Sequence, residues 1–225
     1  MKAATDTQNL TERIADEIRE KLVNAELAPG QRLSEAALSE ALDISRNTLR
    51  EVFRVLTKEG LLVHEPTKGV SVAVPSMASI IDIYRVRRMI ECQALAQAYP
   101  MHPARALMHQ AVADGLRFSE QENWAEVGTA NMAFHKAIVA LADSERLNEM
   151  FSHLLAELRL AFGLLRDPRF LHAPYVEMNQ HILQTFENSK PADAAAELHD
   201  YLVHSERIIL AAYARQLAEA GIKSV

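Results

Sequence analysis

The sequence predicts a mainly α protein in two parts, an N-terminal winged helix-turn-helix and an antiparallel all-α helical bundle. Three observations carry this. Apolar residues recur at helical spacing through most of the chain. Two short β-prone runs, LLVHE and GVSVAV, flank Pro66-Thr67-Lys68-Gly69 and follow a helix–turn–helix pattern. Seven glycines and eight prolines in 225 residues are too few for a many-turned β-sandwich and suit long helices with short loops.

The elements follow in order. Leu10, Ile14, Ile18 and Leu22 stand four residues apart, which makes residues 10–23 an amphipathic helix ending before the turn pair Pro29-Gly30. Ser34 caps a second helix through Leu38 and Leu42. After a break at Asp43-Ile44, Ser45 caps a third, with Leu49, Val52, Phe53 and Leu56 facing inward and Gly60 ending it. The β-prone runs then form a hairpin. Pro75-Ser76 marks the domain boundary, giving a DNA-binding domain over 1–75 and an effector-binding and dimerisation domain over 76–225. The second domain reads as helices near 77–99, 104–121, 124–142, 145–166, 175–188 and 192–219. Several of these carry apolar residues on more than one face, as a bundle with a partner-facing side does.

Composition narrows the function. A single cysteine, Cys92, excludes a disulfide framework. No apolar run is long enough to span a membrane, and the N-terminus has no apolar signal core, so a cytoplasmic location is expected. The net charge is −6, with 10 Lys/Arg and 12 Asp/Glu in residues 1–75, so nucleic-acid binding rests on the local arrangement of charge. That arrangement exists. Arg46, Arg50, Arg54 and Lys58 recur at four-residue spacing along the third helix, opposite its apolar face, with Asn47 and Thr48 beside Arg46. A helix in the major groove presents its N-terminal turn to base edges, where Arg pairs with guanine and Asn with adenine. Arg54 and Lys58, further along, suit phosphates.

The stretch LAPGQRLSEAALSEALDISRNTLREVFRVLTKEGLLVHEPTKGVSV resembles the N-terminal domain of the GntR family of bacterial transcription regulators, through Pro29-Gly30, Leu33, Glu35, Leu38, Ser45-Arg46, Leu49-Arg50-Glu51, Leu56, Glu59-Gly60-Leu61 and Gly69. The resemblance implies that Arg46, Asn47, Thr48 and Arg50 contact double-stranded operator DNA and that the wing at Thr67, Lys68 and Gly69 reaches toward the minor groove. IIDIYRVRRMIECQALAQAY, with Arg87 and Glu91, and NMAFHKAIVALADSERL, with Asn131, Phe134 and His135, resemble helices of the FadR-type ligand-binding domain of this family, the FCD domain. This implies a homodimer and a central polar pocket for a small metabolite. Aligned by apolar phase, Asn179 and Tyr201 fall where the family places histidines, so the implied set is Asn131, His135, Asn179 and Tyr201, with Arg87 either clamping a carboxylate or pairing with a bundle glutamate. Many FCD domains hold a divalent metal here. In this chain Asn131 and His135 are the residues to hold one, but an imidazole, two amides and a phenol suit an organic ligand better, and no cofactor is required.

The leading reading is a repressor controlled by a small carboxylate. Two others stay open: a dimeric DNA-binding adaptor without a ligand, and a helical-bundle enzyme. The enzyme reading lacks Glu-x-x-His pairs, a nucleotide loop, G-x-S-x-G and H-E-x-x-H.

Overall fold

A computed structural model of the chain describes residues 2–23, 26–165 and 167–219, the side chains of 2–9, 23 and 216–219 excepted. It divides into two compact units, Met1–Pro75 with Arg159–Leu164, and Ser76–Leu158 with Leu165–Val225.

The first unit opens with α1 (Lys2–Val23), followed by β1 (Arg32–Leu33), α2 (Glu35–Ala41), α3 (Arg46–Lys58), β2 (Leu62–Glu65) and β3 (Gly69–Val72). Ser34 and Ser45 cap α2 and α3, their hydroxyls accepting from the Ala37 and Thr48 amides. Both serines sit in extended backbone, as an N-cap requires. Beyond α3, Gly60 adopts φ +75°, the left-handed conformation that stops a helix. Ile14, Ile18 and Leu22 of α1 are buried with Leu49, Val52, Phe53 and Leu56 of α3, so the stripes read from sequence form the core of this unit. The strands form a three-stranded antiparallel sheet in the order β1-β3-β2, with Leu62 opposite Val72 and Leu33 opposite Val70. The edge strand β1 was not expected. At two residues it is too short for alternation to signal, and it exists only because β3 offers it a partner.

The second unit comprises α4 (Met77–Gln97), α5 (Arg105–Glu120), α6 (Trp124–Ala140), α7 (Glu145–Gly163) up to its residue 158, α8 (Pro168–Asn188) and α9 (Pro191–Glu219). One start needs correction: the helix placed from 175 begins at Pro168. Asp167 caps it, accepting from the Phe170 amide at 2.9 Å, and Pro168 occupies the first turn, where a missing N–H costs nothing. Pro174 therefore lies inside the helix rather than before it. His102 staples the start of α5. Its Nδ1 accepts from the Ala104 amide at 3.0 Å, so Nε2 carries the proton that Asp143 receives at 3.1 Å. The bundle interior is apolar, with Phe134, Ile138, Phe151, Ile182, Phe186, Leu198 and Leu202 all at most 2% exposed. No described helix is long and apolar enough to cross a membrane.

Candidate DNA-reading face and buried polar site

Two sets of side chains stand out, one on the surface of the first unit and one inside the second. Capped by Ser45, α3 turns its apolar side inward and its basic side to solvent. Arg46, Asn47, Arg50, Arg54 and Lys58 are all exposed, with Thr48 half-buried and its hydroxyl 2.9 Å from that of Ser45. The structure adds carboxylates that a tally of cations leaves out. Arg50 donates through Nε to Glu35 at 3.0 Å, and Arg54 pairs with Glu51 one turn back. Glu35 thus fixes the direction of Arg50 from α2 while leaving its terminal nitrogens outside that bond.

The wing is braced from the missed strand. Arg32 of β1 donates from Nη2 to the Lys68 carbonyl, and Lys68 Nζ lies 2.7 Å from Glu65, whose carboxyl it holds below the usual carboxylate range. Thr67 has φ +70° and Gly69 φ +86°. A β-branched residue in that region is strained, and such strain marks a backbone shape imposed by its surroundings. A Cβ at Gly69 would meet nothing within 4 Å, so the glycine answers the dihedral rather than a shortage of space.

Inside the bundle, all five residues assigned to an effector converge on one hydrogen-bonded chain supplied by α4, α6, α8 and α9. Asn179 donates to Asn131 Oδ1 at 2.7 Å, the Tyr201 hydroxyl lies 2.9 Å from the same oxygen, and His135 Nε2 is 3.0 Å from that hydroxyl. His135 Nδ1 bonds to Glu91 Oε2, and Glu91 Oε1 accepts from Arg87 Nε at 2.7 Å. Arg87, Glu91, His135, Asn179 and Tyr201 are each at most 5% exposed. Arg87 thus pairs with a bundle glutamate, one of the two roles open to it from sequence.

Glu91 is the residue that sequence reasoning left outside the site, although it stands four residues after Arg87 on the same face of α4. Tyr84, Tyr175 and Ser205 were missed too. Tyr84 stacks under the Arg87 guanidinium, 5.0 Å from its ring centre, and its hydroxyl is 2.7 Å from Ser205 Oγ. Tyr175 packs on Tyr201 with ring centres 4.9 Å apart. Spacing held a signal for these as well, since Tyr84, Arg87 and Glu91 line one helix face and Tyr201 and Ser205 are four apart.

Electrostatics assign the protons. Burial pushes the Glu91 carboxyl up, but Arg87 and His135 outweigh it, so Glu91 stays ionised below the usual range. Burial lowers His135, Glu91 opposes this and Arg87 adds to it, leaving a neutral imidazole that donates Nδ1–H to Glu91. Burial drives Tyr201 well above 10, so it stays a phenol. Two buried atoms of this hydrogen-bonded group have no hydrogen-bond partner among the described residues: the donor Arg87 Nη2 and the acceptor Asn179 Oδ1.

The metal that FCD domains imply does not fit these donors. Both oxygens of Glu91 and His135 Nδ1 are engaged, and Asn179 takes one lone pair of Asn131 Oδ1. The Tyr201 hydroxyl lies 3.0 Å from His135 Nε2 and 2.9 Å from Asn131 Oδ1, filling the space between them although its single proton serves only one of the two. Among the described residues no cluster of three or more His, Cys, Asp or Glu is placed to hold an ion.

Two family models match the chain. Residues 10–72 match the model of the bacterial regulatory proteins of the gntR family, and residues 82–204 match the FCD domain. A solved structure from Rhodococcus sp. RHA1, described as a transcriptional regulator GntR, is 34% identical; the match covers 91% of this chain and 99% of that one, with a TM-score of 0.86. The Nta operon transcriptional regulator of Aminobacter aminovorans is 27% identical over 180 residues, 77% of this chain and 82% of that protein. The transcriptional repressor RspR of Escherichia coli is 34% identical over 95 residues, 42% of each chain. The similar proteins are regulators, not enzymes.

Proposed function

We propose that this chain, which belongs to the GntR family of bacterial regulatory proteins and carries an FCD domain, is a homodimeric repressor whose hold on operator DNA is set by a small carboxylate in the bundle. DNA binding is the property of the family. The finer reading rests on one observation: six polar side chains, five of them buried, form a single chain inside an otherwise apolar bundle. A bundle built only for dimerisation gains more from hydrocarbon there, because buried polar groups repay their desolvation only when every bond is made, and two atoms here lack one.

Arg46 and Asn47 read base edges, Arg50 is aimed by Glu35, and the wing held by Arg32 follows the adjacent groove. One recognition helix reads a half-site, so a pseudo-palindromic operator requires two chains. Met89, Met101 and Leu107, each more than half exposed, offer apolar surface for that pairing.

Two experiments test this. In gel-shift titrations at two salt concentrations, Arg46→Ala and Arg50→Ala each weaken specific binding by roughly 1–3 kcal/mol, while Lys58→Ala weakens all sequences evenly and flattens the salt slope. Equal losses on operator and random DNA for Arg46→Ala remove it from base reading. Mass spectrometry of small molecules retained by the native protein, followed by operator titration with what is found, tests effector control. An operator complex indifferent to every retained or added metabolite refutes it.

A further inference from the structure

The bundle site keeps Asn131 and His135, the two residues that could hold a metal, and departs from a metal centre at Asn179 and Tyr201. A resident divalent cation needs several free lone pairs converging on one point. The carbonyl oxygen of Asn131 has two, and the Asn179 amide and Tyr201 hydroxyl both point at it, 2.7 and 2.9 Å away. His135 presents Nε2 to the centre with Glu91 behind it on Nδ1, the carboxylate–histidine arrangement that steadies metal-bound imidazoles. Yet Nε2 is 3.0 Å from the Tyr201 hydroxyl, which also lies 2.9 Å from Asn131 Oδ1 and so occupies the space between these two atoms. The remaining full positive charge is the guanidinium of Arg87, stacked over Tyr84, bonded to Glu91 through Nε and lacking a partner at Nη2.

We infer that Arg87 takes the place of a metal in this site, so that ligand binding is metal-independent and runs directly between Arg87 Nη2 and Asn179 Oδ1. The inference rests on the effector reading for the ligand and on donor geometry alone for the cation. The unsatisfied atoms state what the ligand must bring. Arg87 Nη2 requires an acceptor, best an anionic oxygen, and Asn179 Oδ1 requires an N–H or O–H donor. A cleft of about 330 Å³ lined by Arg169, Phe170, Pro174, Tyr175 and His204 supplies an approach, because Tyr175 separates it from Tyr201 and the buried chain. Pro174, directly before Tyr175, removes the amide that would bond to the Phe170 carbonyl and so weakens α8 at that wall.

Tyr201 and Asn179 act here by exclusion: the phenol hydroxyl lies between His135 Nε2 and Asn131 Oδ1, and the amide takes one of the lone pairs of Asn131. Both are testable without knowing the ligand. The full-length protein, stripped with EDTA, is titrated calorimetrically with Zn²⁺, Ni²⁺ and Mn²⁺ in turn. Expected is no one-per-chain site of low-micromolar affinity or tighter that His135→Gln abolishes; such a site overturns the inference. In the complementary arm, Asn179→His is combined with Tyr201→His, which places imidazoles beside His135. Zn²⁺ affinity then rises by roughly 100-fold or more and the metal raises the melting temperature, as coupled binding and folding require. A folded double variant that gains no affinity overturns the claim that these two side chains withhold the ion. If the double variant does not fold, the titration of the unaltered protein decides. Metal binding through His135 refutes the metal-free assignment and leaves effector control standing. An operator complex indifferent to metabolites refutes effector control and leaves the titrations as they are.

Discussion

Replacing Glu91 by glutamine changes one atom and removes the only carboxylate the buried chain contains. Glu91 is 0% exposed and holds two donors, Arg87 Nε on one oxygen and His135 Nδ1 on the other. In Glu91→Gln one oxygen still accepts, but the amide nitrogen turns two protons toward the second donor, and the Arg87 charge is left uncompensated at 2% exposure. Stranding one member of a buried ion pair costs about 3–5 kcal/mol. For a chain of this size that lowers the melting temperature by roughly 6–20 °C. Urea unfolding followed by circular dichroism, with calorimetry to resolve the bundle transition, measures it. Removing both charges in Arg87→Met with Glu91→Leu separates the burden of an unpaired charge from the worth of the pair. The double variant recovers at least half the loss of Glu91→Gln, short of full recovery because His135 Nδ1–H still lacks an acceptor. A Glu91→Gln protein within about 1 kcal/mol of the parent refutes the buried pairing, since no geometry here lets an unpaired guanidinium go unpenalised.

Further outcomes follow from other particulars. His135 is neutral in the fold, with a pKa below its ordinary 6.5, and it faces Glu91 and Arg87 from α4 and Tyr201 from α9. Unfolded chains therefore bind the extra proton, so its contribution is full above pH 6.5 and is lost as pH falls below it. The stability difference between the parent and His135→Gln shrinks on acidification from pH 7 to 5.5, by up to about 1.4 kcal/mol per pH unit, and a flat difference refutes the assignment. Arg19 of α1, 8% exposed, bonds through Nε to Glu59 at 2.9 Å and through Nη1 to Asp16 at 2.6 Å. Burial lowers its pKa, but Glu59 and Glu12 raise it further than burial takes away. Arg19→Met removes the buried ion pair with Glu59 and destabilises the DNA-binding unit by about 1–3 kcal/mol in denaturant titration, and a loss under about 0.5 kcal/mol places Arg19 outside the stabilising contacts. Thr67→Gly relieves the left-handed strain at the wing tip, worth roughly 1–2 kcal/mol before the entropy cost of glycine. Stability unchanged or raised by up to about 1 kcal/mol is expected, and a clear loss in thermal unfolding contradicts the strain.

What the sequence determined by itself is nearly all local. The caps at Ser34 and Ser45, the stop at Gly60, the stripe of Arg46, Arg50, Arg54 and Lys58, and the hairpin around Thr67 and Gly69 each depend on residues within a few positions of one another. Periodicity and turn chemistry are written at that range. Even the Pro168 start of α8 was legible, as an aspartate cap before a proline, although the helix was placed only from 175. The resemblance to the FCD domain implied that Asn131, His135, Asn179 and Tyr201 share a pocket; the tertiary structure decided that Arg87 and Glu91 join them in one hydrogen-bonded chain. Arg87 and Glu91 share a helix, but His135, Asn179 and Tyr201 reach them from 44 to 114 positions away along the chain. Whether Arg87 faces a ligand or Glu91, whether Asn131 keeps a free lone pair, and whether β1 exists at all depend on packing between distant segments. A local pattern places a side chain on a face of its own helix; only the assembled bundle decides which group that face meets.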